Sequence, residues 1–393
     1  MKGFTFSAVK AGVRYKDRLD VGLICSDTPC VTAGVFTTSQ VKAAPVVIDQ
    51  GRLANGTAQA ILVNSGCANA CTGDEGVEAA LACSRLVAEQ MKVDEENVLL
   101  SSTGVIGEQL NVRAFEDSIK ELVSSLSADN FELVARAIMT TDTFPKVAAK
   151  TITIDGRPVE IRGMAKGAGM IMPNMATMLA FVFTDADISS AQLQQALSAA
   201  NERTFNRITV DGDTSTNDMV VVMANGTARN RVIDGTGDEA DCNAFSAGLE
   251  AVLKDLALQI VSDGEGATKT ITISVRGANS DEDAEKLGRT VATSSLVKTA
   301  FFGEDANWGR ILAAMGRAGV VFPPEKVDLS FGDVQLVKNG LGLGREAEEK
   351  ATAVLKEKCF TIGIDLQDGD GGAELYTCDF SLDYVKINAD YRS

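Results

Sequence analysis

The sequence predicts a mixed fold of β-strands and α-helices, with both kinds of element recurring along its whole length. Short β-branched apolar runs fill the first sixty residues, and stretches of helical period such as 76–91 and 238–269 follow them. The chain has 393 residues, 45% apolar and 23% charged, enough for a well-buried core in two or three structural units.

The elements can be taken in order. VGLICSD, TAGVFTTS and APVVIDQ read as strands separated by Pro29, Gly34 and Ala43-Ala44. AQAILVNSG (58–66) is a continuous apolar strand, the pattern of a central position in a sheet. Val77, Ala80, Leu81, Leu86 and Val87 make one helical face within 76–91. ENVLLSSTGVIGEQL (96–110) is a strand closing on Ser-Ser-Thr-Gly, and 127–143 is a helix ending in a threonine-rich turn before Pro145. VAAKTITI and RPVEIRGMAKG form a hairpin about Asp155-Gly156 that delivers the chain to Lys166. A buried strand runs through Met178–Phe183, and the helix after it is capped near Asp187 or Ser189.

Residues 208–226 are a polar loop between two strands, with Thr214, Ser215, Thr216 and Asn217 as residues that could face a site. A long helix over 238–269 leads into Gly264-Glu265-Gly266, a setting that suits an exposed carboxylate. KTITISVRGA is a strand, DEDAEKLGRTVATSSLVKTAFFG one helix, and the tail alternates strand, helix (345–357), strand and strand. GLGLG (340–344) lacks GxGxxG spacing and reads as a tight connection. DLQDGDGG (365–372) lacks the spacing and closing glutamate of a calcium loop and reads as a hairpin turn.

Charge and composition exclude several classes of function. A net charge of −17 argues against nucleic acid or an anionic membrane as partner, and no apolar run reaches the ~18 residues of a membrane span. The N-terminus has no apolar signal core, so a cytoplasmic location is expected. The eight cysteines include no CxxC pair, and Cys67 and Cys71 read as buried thiols. The absence of histidine rules out Ser-His-Asp and Cys-His nucleophile systems and His-ligated zinc. Any base must be a carboxylate, a lysine or a free α-amine, whose ordinary pKa is about 7.7–8.0.

Residues 166–179, KGAGMIMPNMATML, bring these points together. Gly167 and Gly169 free the backbone, Pro173 fixes one angle, and the small Ala176 leaves its carbonyl open before the Thr177 hydroxyl. This pattern fits a self-cleaving chain in which Thr177 becomes an N-terminal nucleophile carrying its own base. The Thr103-Gly104 pair at a strand end can present a hydroxyl and a backbone N–H together, as an oxyanion hole requires.

MAKGAGMIMPNMATMLAF, NSGCANACTG, SSTGVIG, MTTDT, SDGEGATK, FFGEDANWGR and the terminal INADYRS together resemble the ornithine acetyltransferase (glutamate N-acetyltransferase) family of arginine biosynthesis, over nearly the whole chain. The resemblance implies an α+β fold of the self-processing N-terminal-nucleophile type, with stacked β-sheets flanked by helices and a smaller C-terminal α/β unit. It implies cleavage between Ala176 and Thr177 into an α chain 1–176 and a β chain 177–393, of which 177–285 completes the core and 286–393 is the smaller unit. Thr177 would be the nucleophile, Thr103 and Gly104 the oxyanion donors, and Thr140, Lys166, Thr177, Glu265, Asn388 and Ser393 the substrate contacts. Thr141 and Thr143 stay open as alternatives to Thr140.

The implied reaction is ping-pong acetyl transfer from N-acetylornithine to glutamate, with no metal or other cofactor and with acetyl-CoA left open as a further donor. Two α and two β chains would assemble as a heterotetramer. An amidohydrolase or aminopeptidase on a similar self-processing scaffold, and a binding protein in which 166–179 is a plain hairpin, are the rival readings.

Overall fold

The computed structural model describes residues 1–172, 178–236 and 239–389. Along the chain these form β1 (Phe4–Val9), β2 (Val21–Phe36), α1 (Ala44–Arg52), β3 (Thr57–Cys67), α2 (Gly73–Met91), β4 (Val98–Val105), α3 (Val112–Ser124) and α4 (Phe131–Ala137). Next come β5 (Lys146–Ile154), β6 (Arg157–Lys166), β7 (Leu179–Thr184), α5 (Ser190–Arg203), β8 (Ile208–Thr209), β9 (Met219–Ala224), α6 (Glu239–Ser262) and β10 (Thr270–Ala278). The chain closes with α7 (Asp281–Ala292), α8 (Ser295–Phe302), α9 (Trp308–Gly316), β11 (Asp328–Phe331), β12 (Val334–Lys338), β13 (Leu341–Gly342), α10 (Arg345–Leu355), β14 (Cys359–Asp365), β15 (Gly371–Cys378) and α11 (Leu382–Ala389). The fold class is α+β, and the chain divides into two compact units. None of the described helices is long and apolar enough to cross a membrane.

The first unit, 1–206 with 213–260, holds one mixed sheet in the order β4-β3-β2-β9-β7-β6-β5, with β1 beside β2. β2 joins its two halves. Its early residues pair with β1 and β3, its late residues with β9, and the register shifts between Cys25 and Cys30. The irregularity lets the sheet fold onto itself. Phe4, Phe6, Ile61, Val63 and Leu99 from one half meet Phe181, Phe183, Met219 and Val221 from the other in a single buried cluster. The Phe183 ring lies 5.2 Å from Phe4 and 5.3 Å from Phe6. Helices α2 and α3 pack Ala80, Val87, Phe115 and Ile119 against the far side of β2, β3 and β4. The expected stacking of sheets between helices is the observed arrangement.

The second unit, 207–212 with 261–393, is a seven-stranded sheet in the order β13-β12-β11-β14-β10-β15-β8. Helices α7 to α10 cover the face carrying Ile271, Ile273, Leu329, Phe331, Ile362 and Ile364. This unit begins at Val261, ahead of residue 286, because β10 is a central strand bonded to both β14 and β15.

Several elements depart from the sequence reading, each for a physical reason. APVVIDQ is α1, not a strand. Its Val-Val-Ile run suggested β, but Pro45 starts the helix and Asp49 and Arg52 lie three apart on its inner side. The Asp49 carboxyl accepts the Leu100 N–H at 3.0 Å, and Arg52 binds the Val98 carbonyl and Ser84. VGLICSD and TAGVFTTS belong to one strand, since residues 27–29 bulge outward, exposed, and Pro29 needs no partner there. The 127–143 helix shrinks to α4 because Ser127 is held in a bridge to Phe6. The helix predicted after β10 breaks into α7 and α8 where Thr293 turns its hydroxyl onto the Arg289 carbonyl at 2.8 Å and Ser294 extends. GLGLG is a tight connection carrying β13, whereas DLQDGDGG joins strands on opposite sides of β10 and is no hairpin.

Truncating Phe183 to alanine should cost the first unit about 3–5 kcal/mol, because three aromatic rings lose their common neighbour. Urea denaturation should show a lower midpoint at unchanged slope, and a midpoint within error of wild type would contradict this packing.

Candidate functional site

Sheet register places the first group of residues. Strand β6 runs antiparallel to β7 with Lys166 opposite Leu179, and β7 runs parallel to β9 with Leu179 opposite Met219. The row Lys166–Leu179–Met219 therefore crosses three strands just where β7 begins. Lys166 Nζ donates to Thr140 Oγ1 at 2.7 Å and to Thr103 Oγ1 at 3.3 Å. So three of the residues singled out from sequence meet in one place, and Thr140, rather than Thr141, is shown reaching the lysine.

Thr103 and Gly104 lie at the end of β4, where it runs parallel to β3. The pairing is irregular here, with Cys67 facing both Thr103 and Val105. Gly104 has a φ of +134°, and a Cβ there would drive into the Gly66 carbonyl and the Cys67 amide. Only glycine fits. Asn217 secures the same turn from the polar loop by donating to the Ala68 carbonyl at 2.6 Å and the Ser102 carbonyl at 2.8 Å. Thr216 supports Asn217 with a 2.6 Å bond, and Thr214 caps the Met172 carbonyl at 3.0 Å. This loop does reach the site segments.

Asp142, which sequence reasoning did not single out, lies under the lysine. Its side chain is fully buried, 2.7 Å from Lys146 Nζ and 3.9 Å from Lys166 Nζ, and it accepts the N–H groups of Thr140 at 2.9 Å and Gly167 at 2.6 Å. Burial pushes its carboxyl upward, but the charges of Lys166 and Lys146 and the hydrogen bonds override this and hold it at about 2. Its one sequence signal is a lysine four residues on; the contact to Lys166 depends on β5 pairing with β6.

Asp218 was also missed. It precedes Met219 in β9, is buried, and leaves one carboxyl oxygen with no hydrogen-bond partner. Burial pushes it well above the usual carboxylate range, opposed by Ser215, by the charge of Lys166 and by the Met178 N–H.

In the second unit, Glu265 and Asn388 come together, with Asn388 Nδ2 donating to Glu265 Oε2 at 2.7 Å. Glu265 is buried rather than exposed as expected, since α6 stops at Ser262 and the turn folds under the C-terminal segment. Ser381 Oγ bonds the Gly266 carbonyl at 2.6 Å, and a Cβ on Gly266 would strike the Tyr384 amide. Ala176, Thr177 and Ser393 lie outside the described residues. Cys67 is a buried thiol raised by burial, but Cys71 is exposed. Among the described residues no group of three or more acidic or thiol side chains could hold a metal ion.

A buried threonine hydroxyl and a half-buried one against an ammonium, on an α+β fold with no histidine, define a site suited to carboxylates and to carbonyl oxygens that gain charge. The chain belongs to the ArgJ family, whose model matches residues 5–393, and it is an enzyme of that family. It is 66% identical over the full length of both chains to the arginine biosynthesis bifunctional protein ArgJ of Desulfotalea psychrophila, and 52% identical, again over both full lengths, to that of Geobacter sulfurreducens. It is also similar to the crystal structure of arginine biosynthesis bifunctional protein ArgJ from Bacillus halodurans, at 47% identity and a TM-score of 0.52, over 54% of this chain and 99% of that one.

The Asp142 carboxyl is held below its unfolded value near 3.8, so its stabilisation is complete above that value and is lost as the pH falls toward about 2. Between about pH 5 and pH 2, wild type should lose about 2 kcal/mol that Asp142→Asn does not lose. Urea denaturation of both across that window measures the difference, and parallel pH profiles would contradict the assignment.

Proposed function

We propose that the chain transfers acetyl from N2-acetylornithine to glutamate through an ester on Thr177, after cutting itself between Ala176 and Thr177. The observation that carries this reading is Lys166 bonded to both Thr103 and Thr140 on the strand pair that leads from residue 177. The family membership and the absence of histidine agree with it.

The steps balance without a metal or nucleotide. The Thr177 hydroxyl attacks the acetyl carbonyl while its own α-amine takes the proton. The oxygen that becomes negative accepts from the Thr103 hydroxyl and the Gly104 N–H. The C–N bond breaks, the held proton passes to the departing nitrogen, and ornithine leaves an acetyl ester. The neutral amine of glutamate then attacks that ester by the reverse path, giving N-acetylglutamate and restoring Thr177. One amide replaces another of similar energy, so no ATP is consumed.

Lys166 and Thr140 suit the substrate carboxylate, and Glu265 suits an ammonium. Asn388, bonded to Glu265, fixes that carboxylate, and Ser393 supplies a further hydrogen bond. Cleavage yields chains 1–176 and 177–393, two of each forming the working assembly in the cytoplasm. In support, the Bacillus halodurans chain spans about half of this one, the length that a cut near the middle leaves. Acetyl-CoA offered to the same threonine tests a second donor, and N-acetylglutamate made from it alone would extend the activity to that thioester.

Intact mass should show two pieces for wild type and one for Thr177→Ala. With N-acetylornithine and glutamate together, N-acetylglutamate should form faster than acetate. Free acetate as the main product would instead make the chain an amidohydrolase.

Replacing Glu265 with glutamine should raise KM for N-acetylornithine roughly tenfold or more by loss of a charge-assisted contact. Steady-state kinetics checks this, and an unchanged KM would remove Glu265 from the substrate contacts.

A further inference from the structure

Asp142 and Lys146 have no part in the reaction as written, yet both side chains are fully buried and joined at 2.7 Å. One carboxylate there lies beside two ammonium groups. Burying such a set is costly unless every member is held by specific bonds. The amide bonds of Asp142 converge on the site: it grips the Thr140 and Gly167 amides, one on the turn before β5 and one just after Lys166. Lys146 opens β5 opposite Ala165, next to Lys166 across the same hairpin.

The direction of the next bonds is fixed by chemistry. An ammonium has donors and no lone pair, so a hydroxyl bonded to it can only accept. Thr103 Oγ1 and Thr140 Oγ1 both accept from Lys166 Nζ. Each hydroxyl proton must then point away from the lysine. Without the ammonium, either hydroxyl could rotate and offer a lone pair where the reaction needs a proton.

We propose that Asp142 and Lys146 are positioning residues that hold the Lys166 ammonium against Thr103 and Thr140, so that both hydroxyls present their protons as donors to the reacting carbonyl or carboxylate. This rests on the reading of Thr103 as an oxyanion donor. It gives Lys166 a second duty besides binding substrate. It also explains why an acid and two lysines are spent beside a site that already has a backbone N–H. Asp142 acts through Lys166, and Lys166 through the threonines.

The test is a double-mutant cycle on the purified, full-length chain, with kcat and KM for acetyl transfer and the half-time of self-cleavage read for each variant. Wild type must first make N-acetylglutamate; if it does not, the functional reading fails and the cycle is not at issue. Thr103→Val should lower kcat by about 10²–10³. Asp142→Asn should lower kcat by at least tenfold with little change in KM for glutamate, and Asp142→Glu should restore part of it. The decisive result is coupling: in the Asp142→Asn background, Thr103→Val should cost much less than it does alone. Independent losses whose logarithms add would overturn the proposal, because a merely structural role predicts that. Should Asp142→Asn fail to fold, the cycle runs on Lys166→Met, which removes the donor directly and must show the same coupling in kcat. A variant slow to cleave is scored by the same rule on its cleavage half-time.

Discussion

The site depends on one register. Lys166 reaches Thr103 and Thr140 because β6 pairs with β7 so that Lys166 lies opposite Leu179. Side chains alternate along a strand, so a slip of one residue would send the lysine to the other face of the sheet. The register is enforced from both sides. Met164, Phe181 and Val221 fill the core between the folded halves of the sheet, while Val252 and Leu256 of α6 press on Gly163 from outside. Apolar packing that has no chemical role thus decides where the charged group stands.

A chain without histidine must arrange its proton chemistry from other groups, and this one surrounds the end of β4 with charge and amide bonds. Asn217 joins two carbonyls, Asn64 takes the Ser102 hydroxyl at 2.7 Å and donates to the Cys67 carbonyl at 2.9 Å, and Gly104 allows the backbones to close. Buried polar networks of this kind are stable only when nearly every member is satisfied. Among the described residues the exceptions include the Ser65 and Ser101 hydroxyls and one oxygen of Asp218, whose carboxyl also takes a hydrogen bond from the Met178 N–H. Burial raises its carboxyl well above the usual carboxylate range, against the opposing charge of Lys166.

Much of the fold was legible because it follows local rules. The apolar run of β3, the hairpin about Asp155-Gly156 and the Ser189 cap on α5 all appear where period and turn chemistry put them. The errors fell where distant contacts overrode local preference. The Val-Val-Ile run became helix because Asp49 and Arg52 face β4, and the Glu265 carboxylate is buried by a segment over a hundred residues on. The site divides the same way. Thr103, Gly104, Lys166, Glu265 and the loop of Thr214 to Asn217 stand in turns and strand ends with recognisable composition, whereas Asp142 and Asp218 do not stand out there. Asn217 and Ser102 are separated by 115 residues, and no period in the sequence links them.

In the proposed function one threonine carries the acetyl group between donor and acceptor. Mass spectrometry of the protein digested after brief exposure to N-acetylornithine, with glutamate withheld, tests this directly. The peptide beginning at Thr177 should gain the mass of one acetyl group and lose it again when glutamate is added. Acetyl found on another residue, or transfer at full rate with that peptide never labelled, would contradict the account.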